Sequence, residues 1–524
     1  METVKINPDF SNLENPGTII KSIDDMKSST REPVGRSEAL EQLLEQVEPV
    51  DFIAKKYPDV VRLRKQLEGL EPGSDTADKI QKQIGSLKLK RDDYVFDTIK
   101  STLELAEKNG WGLCLNSNST YLYNGAFWDM LDPAHFKAFL CDIAEGMGLP
   151  EREARFHRFQ DELIRQFEAS ASLPTPEPDP DKVLINLKNG TYEVNGDGKT
   201  NLRPPSKEDF LTYQLPFDYD PKAAAPRFQK YLNEVLPDIE RQRVLAEYIG
   251  YLFVRHGTNN LKLEKLLILY GGGQNGKSVF LDIIGALIGS NNITNISLEN
   301  LTEPKGFYRV GLNNRLVNYS TEINGKFDVS LFKKLVSGEP VEACQKYEQP
   351  FTMTQYAKFI FNSNELPQSV EHSDAYFRRF LIVPFDVKIT EEQKDVDLAG
   401  KIIDSELSGI FNWVLEGLSR LIAQRKFSPC GASENVLKKY RLETNSVQMF
   451  LEDNNYKASE NGRYIKLNEL FQEYQTYCVG EGRRPFNKTN FREQMRKLGV
   501  IDDRNREGNI YYLEGGINPF EAPY

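Results

Sequence analysis

Cysteine is scarce, and no two cysteines are close. The five, Cys114, Cys141, Cys344, Cys430 and Cys478, lie far apart with no CxxC pair. That excludes a zinc ribbon and points to reduced thiols in a cytoplasm. Long apolar runs are missing too: none approaches the roughly 20 residues of a membrane span. The opening METVKINPDF has no basic start followed by an apolar stretch, so neither a secretory leader nor a membrane partner is expected. Positive charge is also in deficit. A net charge of −11 argues against a protein that coats nucleic acid over its whole surface, while leaving room for a basic channel. What is present, 39% hydrophobic and 27% charged residues over 524 positions, fits an ordinary soluble chain of three or so domains.

Residues 1–50 are polar and acidic, broken at Asn15-Pro16-Gly17 and Glu32-Pro33, and read as a loosely structured arm. Helical spacing over about 51–70 (Val60, Leu63, Leu67, Leu70) and about 76–108, interrupted by Glu71-Pro72-Gly73-Ser74, predicts a helical hairpin. Around Asn124-Gly125 the pattern predicts a β-hairpin, then a helix over 134–147, giving an N-terminal α+β domain at 51–172. A proline-rich linker fills 173–182, and 183–230 is a β-rich segment with a hairpin at Asn189-Gly190. From 227 to 256 the pattern is helical, and Lys265–Tyr270 is a short apolar strand.

That strand runs into Gly271-Gly272-Gly273-Gln274-Asn275-Gly276-Lys277-Ser278, and Val279 then begins an apolar helix. Strand, GxxxxGK[ST] loop and helix together make a phosphate cradle, with loop N–H groups and the helix N-terminus facing phosphate oxygens. Lys277 is positioned to reach the β- and γ-phosphates of ATP, and the Ser278 hydroxyl to ligate Mg²⁺. A second strand, 315–322, ends in Glu322, a candidate for both metal and water, with Thr321 standing where an Asp is usual. A third, 357–364, ends in a polar tip where Asn362 and Asn364 compete to sense the γ-phosphate. Arg378 and Arg379 precede a fourth strand, and either is a candidate to reach a neighbouring subunit's ATP.

In this order, the elements resemble the superfamily 3 helicases, a branch of the AAA+ ATPases. The closest likeness is to the phage and plasmid primase-helicase C-terminal family, with poxvirus primase-helicase as a relative. The loop at 271–278, Ser320-Thr321-Glu322, Leu335–Glu339, Ala343–Tyr347, Phe361–Pro367 ending NELP, and Arg378-Arg379 before Ile382–Phe385 carry it, over about 180–445. The resemblance implies an α/β fold: a P-loop AAA+ core, a parallel sheet flanked by helices, over 231–445. It also implies a homohexameric ring translocating 3′ to 5′ on single-stranded or forked DNA, in replication of a phage, plasmid or other mobile element in a bacterial cytoplasm. Lys277, Ser278, Glu322 and Asn364 would act within a subunit, and Arg379, with Arg378 as rival, from the next. A hairpin at about 340–352 would grip DNA through Lys346. No priming site is visible before residue 180, so a separate primase or host replication proteins are the expected partners.

Residues 446–524 predict helices at 466–478 and 488–498 and a strand at 510–513. Family relatives often end in a winged helix, which makes Arg492 and Arg496 candidate DNA contacts. The same motifs also fit an ATP-gated switch or assembly scaffold that binds nucleic acid without unwinding it.

Overall fold

Alternation along the central strands fixes the middle of the chain. In the computed structural model, which describes residues 34–174, 176–177, 179–257, 261–321, 323, 327–346, 349–367, 373–459, 461–483, 485–506 and 508–515, successive side chains of these strands enter two different cores. Leu267, Leu269, Ile360, Leu381 and Val383 pack on one face with helices Ile239–Tyr251, Lys277–Ile288 and Leu398–Gln424. Leu266, Ile268, Phe359, Phe361, Phe380 and Ile382 pack on the other with helices Val329–Val336 and Gly431–Thr444. A sheet apolar on both faces must be covered on both, which is the condition for an all-parallel sheet.

The N-terminal region carries β1 (Gly112–Asn116), β2 (Ser119–Tyr123) and β3 (Trp128–Met130), an antiparallel sheet backed by helices Pro133–Gly146 and His157–Ser170. The expected hairpin is there: Tyr123 pairs with Trp128, and the Asn124 side chain accepts from the N–H groups of Ala126 and Phe127. Two readings need correction. Part of the supposed arm, Arg36–Glu45, is a helix, because Ala39 and Leu43 at i, i+4 find a partner in the Phe136–Leu140 face; residues 1–33 lie outside the described residues. The stretches 51–70 and 76–108 are each two helices: Phe52–Lys56 with Asp59–Glu68, separated at Pro58, and Asp75–Gly85 with Arg91–Lys108.

Next come β4 (Lys182–Leu187), β5 (Gly190–Asn195) and β6 (Thr200–Arg203), an antiparallel meander whose Val183, Ile185 and Tyr192 join the first face of the central core. The central sheet has the order β13-β7-β12-β9-β8, with β7 Leu266–Tyr270, β8 Ile293–Thr294, β9 Val317–Ser320, β12 Lys358–Ser363 and β13 Phe380–Pro384, all parallel. Between β9 and β12 stands the antiparallel hairpin β10 (Val341–Ala343) and β11 (Phe351–Met353). The α/β class and parallel sheet are as the sequence led one to expect.

The terminal region has its own core of Phe450, Leu470, Tyr474, Phe491, Met495 and Tyr511. Helices Leu467–Gly480 and Lys488–Lys497 pack with a small sheet of β15 (Ile465–Lys466), β17 (Gly508–Tyr511) and β16 (Asp502–Asn505). The strand read at 510–513 divides into β17 and β18 (Leu513–Glu514), which pairs with β14 (Lys457–Ala458). Among the described residues no helix is long and apolar enough to cross a membrane.

Candidate functional site

The chain changes direction around β7. From there it runs out to β8, returns through β9 and β12, then crosses to β13 on the far side. β7 is therefore at the switch point of the sheet, where a crevice opens beyond the carboxyl ends of the strands. The loop 271–276 occupies that crevice. Gly271 has φ +147, and a Cβ there would lie 2.5 Å from Phe385 O; Gly276 has φ +87, with Val235 Cγ1 2.8 Å from the same construction. Both positions need glycine for backbone and for space. Around Gly272 and Gly273, by contrast, a Cβ meets nothing within 4 Å, so this part of the loop presents open main chain.

Neighbours hold the curl. Tyr231 donates to Gly276 O at 2.6 Å, Asn275 Nδ2 to Phe385 O at 2.9 Å, and the Ile389 N–H to Gln274 O at 2.7 Å. Gln274 itself has φ +60. Lys277 opens the helix and is only 4% exposed. Its ammonium donates to Gly271 O at 2.7 Å, Gly272 O at 2.8 Å, Asn275 Oδ1 at 3.1 Å and Asn364 Oδ1 at 3.5 Å. Burial pushes its pKa below the ordinary lysine value. Ser278 is exposed on the first turn and Val279 half-buried behind it. Open main chain, a helix N-terminus, a lysine held at the loop and an exposed hydroxyl form a donor set that fits a nucleotide's phosphates and a Mg²⁺ ion.

The structure separates the two asparagines. Asn362 lies within β12, opposite Leu269 of β7, whereas Asn364 follows the strand and meets the Lys277 ammonium. β9 runs beside β12 with Ser320 opposite Phe361, and Thr321 is exposed just beyond it. Glu322 lies outside the described residues.

The arginine pair is also separated, against expectation for Arg379. That side chain is 6% exposed and faces inward. Its Nη2 donates to Ser337 Oγ at 2.7 Å and its Nε to Lys333 O at 3.2 Å; it also donates to Ala375 O and stands 3.8 Å from Glu264. A guanidinium enclosed by its own subunit is a structural tie, not a group that reaches a neighbour. Arg378 is 58% exposed and pairs with Glu264 at 2.5 Å. Both stand at the start of β13, where Leu266 N donates to Arg379 O, at the sheet edge opposite the phosphate loop.

Lys346 is exposed in the turn beyond β10. Beside it, Gln345 Nε2 donates to Asn118 O at 3.4 Å and Asn118 Nδ2 to Gln349 O at 3.5 Å, so the β1–β2 turn abuts this hairpin. Arg492 and Arg496 are less free than their spacing implied: both pair with Asp502, at 3.1 and 3.0 Å. Sequence reasoning missed Tyr231, and it singled out Phe385 only as part of a motif, without its contact to the loop; both shape the loop from distant segments. It also missed Lys358, although a lysine beginning the apolar run Phe359-Ile360-Phe361 was a visible signal.

Two family models match. One, described as D5 N terminal like, covers residues 151–237; the other, a family of unknown function (DUF5906), covers 269–379, from β7 to Arg379. A protein of Invertebrate iridescent virus 3, 121R, named there as a helicase, is 20% identical over 361 residues, 60% of this chain. The chain spans 37% of that relative's length. Two apo structures of the NrS-1 C terminal region align over 79% of this chain and 98% of theirs, at 13% identity, with TM-scores of 0.44 and 0.42. The D5-like model thus lies upstream of β7 and the second model runs from β7 to Arg379, and the chain is similar to these two families over those stretches and, over 60% of its length, to a viral protein named as a helicase.

Proposed function

We propose that this chain is an ATP-hydrolysing P-loop motor of the AAA+ type that unwinds DNA in the replication of a phage, plasmid or related element. The observation that carries the reading is the Lys277 ammonium, bonded at once to the loop carbonyls and to Asn364 at the end of the adjacent strand. Lys277 and the loop N–H groups bind the phosphates of ATP, Ser278 holds Mg²⁺, and Asn364 is aimed at the γ-phosphate. Glu322, next after Thr321, polarises the attacking water. The hydrolysed bond lies between the β- and γ-phosphates, where the lysine offsets charge gathering on the departing oxygen. Subunits assemble as a homohexamer, Arg378 is the arginine that faces the neighbour, and Lys346 holds the single strand during 3′ to 5′ movement. The terminal helices and sheet act as a winged-helix-like module that engages DNA.

The test is strand displacement on forked DNA of both tail polarities, run beside phosphate release. ATP-dependent displacement with a 3′ tail supports the reading, and Glu322→Gln is expected to keep ATP binding while losing turnover. ATP hydrolysis with no displacement on either fork favours the ATP-gated switch. Neither hydrolysis nor ATP binding would sink both.

A further inference from the structure

At the sheet edge opposite the phosphate loop lies a cavity of about 50 Å³ that the proposed motor chemistry does not use. It sits where four segments meet: 211–213 after β6, 252–256 after helix Ile239–Tyr251, 314–316 before β9, and 355–358 leading into β12. Three of its lining residues are cations: Arg255, Arg315 and Lys358. Among the described residues that line it there is no carboxylate. Asp209, whose charge acts on Arg255, is itself held by Arg203 at 2.8 Å.

The floor is the anomaly. Lys358 is 5% exposed, donates to Val254 O and places its ammonium 4.6 Å from the Tyr251 ring centroid. One carbonyl and one ring face are thin compensation for a buried ammonium with three donors. At the sides, Arg255 donates to Asp209 O and Phe210 O through a single nitrogen, Nη2. Arg315 donates to Asn291 O through Nη1. Both guanidinium groups are half-buried. Each anchors a loop and keeps further donors in a fork that suits an oxyanion. Burial pushes the Lys358 pKa down to about 7, as expected of a cation without a counter-charge. The neighbouring His256 is driven to about 3 by burial first and by Lys358 second, so it adds no charge of its own.

We propose that this cavity is a phosphate-oxyanion site, with Lys358 at its floor and Arg255 and Arg315 at its sides. Its volume accommodates oxygens in place of a few waters, each needing about 10–15 Å³. It is too small for a nucleotide. β12 separates its floor from the ATP loop by six residues, about 20 Å, so it is not the γ-phosphate position of the same subunit. One wall, Gln355 and Tyr356, lies in the short segment that joins β11, the return strand of the β10–β11 hairpin, to β12. The oxyanion therefore comes from one of two sources: free phosphate, or a backbone phosphate of a strand lying along that hairpin.

The test uses the full chain carrying Lys277→Ala, so that the phosphate loop does not dominate the response. Thermal unfolding is followed against inorganic phosphate, with chloride at matched ionic strength as control. Binding of a fluorescent single-stranded oligonucleotide is measured without ATP. In this background, Arg315→Gln or Lys358→Met is expected to weaken the phosphate response about tenfold or more, the loss of one charge-assisted bond. A parallel loss of oligonucleotide affinity assigns the phosphate to a nucleic-acid backbone; unchanged oligonucleotide affinity assigns it to free phosphate. Should Lys358→Met fail to fold by circular dichroism, Arg315→Gln at the side decides alone. The proposal is overturned if the folded variants keep both the parent's phosphate response and its oligonucleotide affinity.

Discussion

Lys277 has four acceptors within 3.5 Å, three on its own loop and one, Asn364 Oδ1, on the adjacent strand end. Under the motor reading, the ammonium thus links the loop proposed to bind phosphate to the asparagine proposed to sense it. Lys277→Ala is expected to lower ATP turnover by at least about 10²–10³-fold with circular dichroism unchanged, since an electrostatic partner of the transition state is gone. Asn364→Ala should separate the steps, with turnover down about 10²-fold and ATP affinity within about tenfold; equal losses in both would make Asn364 a mere binding contact. The two arginines make an opposite pair. Arg379→Ala removes a buried fork bonded to Ser337 and Lys333 and is expected to cost about 2–4 kcal/mol in denaturant unfolding. Arg378→Ala removes an exposed arginine from the largely buried Glu264, which keeps Lys262 and Arg379 beside it, and should cost only about 1 kcal/mol. Equal unfolding midpoints for the two variants would refute their different placements.

At the scale of elements, what was legible in the sequence was local. The loop between β7 and its helix and the turns at Asn124-Gly125 and Asn189-Gly190 follow from short-range backbone chemistry, whereas the hairpin before β12 was expected from the family resemblance alone. What was not legible depends on distant partners. Adjacent arginines look alike in sequence, yet one faces Ser337 and the other solvent. Arg492 and Arg496 read as free cations until β16 brings Asp502 to both. The helix Arg36–Glu45 exists because of a face supplied about a hundred residues later. Lys358 shows what such burial does to stability. Unfolded, its ammonium titrates near 10.5, and folded near 7, so between these values the unfolded chain binds more protons and stability rises with pH. In phosphate-free buffer at pH 7, Lys358→Met is expected to be the more stable protein, by up to about 4 kcal/mol. The advantage should shrink as pH approaches 10, when the parent's unfolded state also loses its proton. An advantage that is the same at pH 7 and pH 9.5 in urea unfolding would show that this lysine is not buried as a strained cation.

For the whole molecule, the question is whether the proposed nucleotide site and the β10–β11 hairpin work as one machine. They are far apart in the sheet's geometry: the loop lies past the carboxyl ends of β7 and β12, while β11 returns to the amino end of β12. Lys346 is exposed in the hairpin's turn, and the β1–β2 turn of the N-terminal region touches the residues on either side of it. Under the motor reading, Lys346→Ala is expected to leave basal ATPase nearly unchanged, because the side chain stands at the opposite end of the sheet from the loop. It should weaken single-strand binding and the stimulation of ATPase by DNA, largely independently of base sequence. The salt dependence of binding should become shallower, by about one in slope for each phosphate no longer neutralised. In a ring every subunit carries the same change, so unwinding should suffer more than for an exposed lysine elsewhere, such as Lys230. A chain with Arg492 and Arg496 both changed to Ala is the control: freed Asp502 and fewer cations should impair loading while a preloaded ring still moves. Mixing Arg378→Ala subunits with wild type adds the last link. If neighbours share sites, activity falls more steeply than the wild-type fraction. A linear mixing curve, together with Lys346→Ala unwinding forked DNA as well as wild type, would leave an ATPase whose hairpin does not hold the strand and whose subunits act alone.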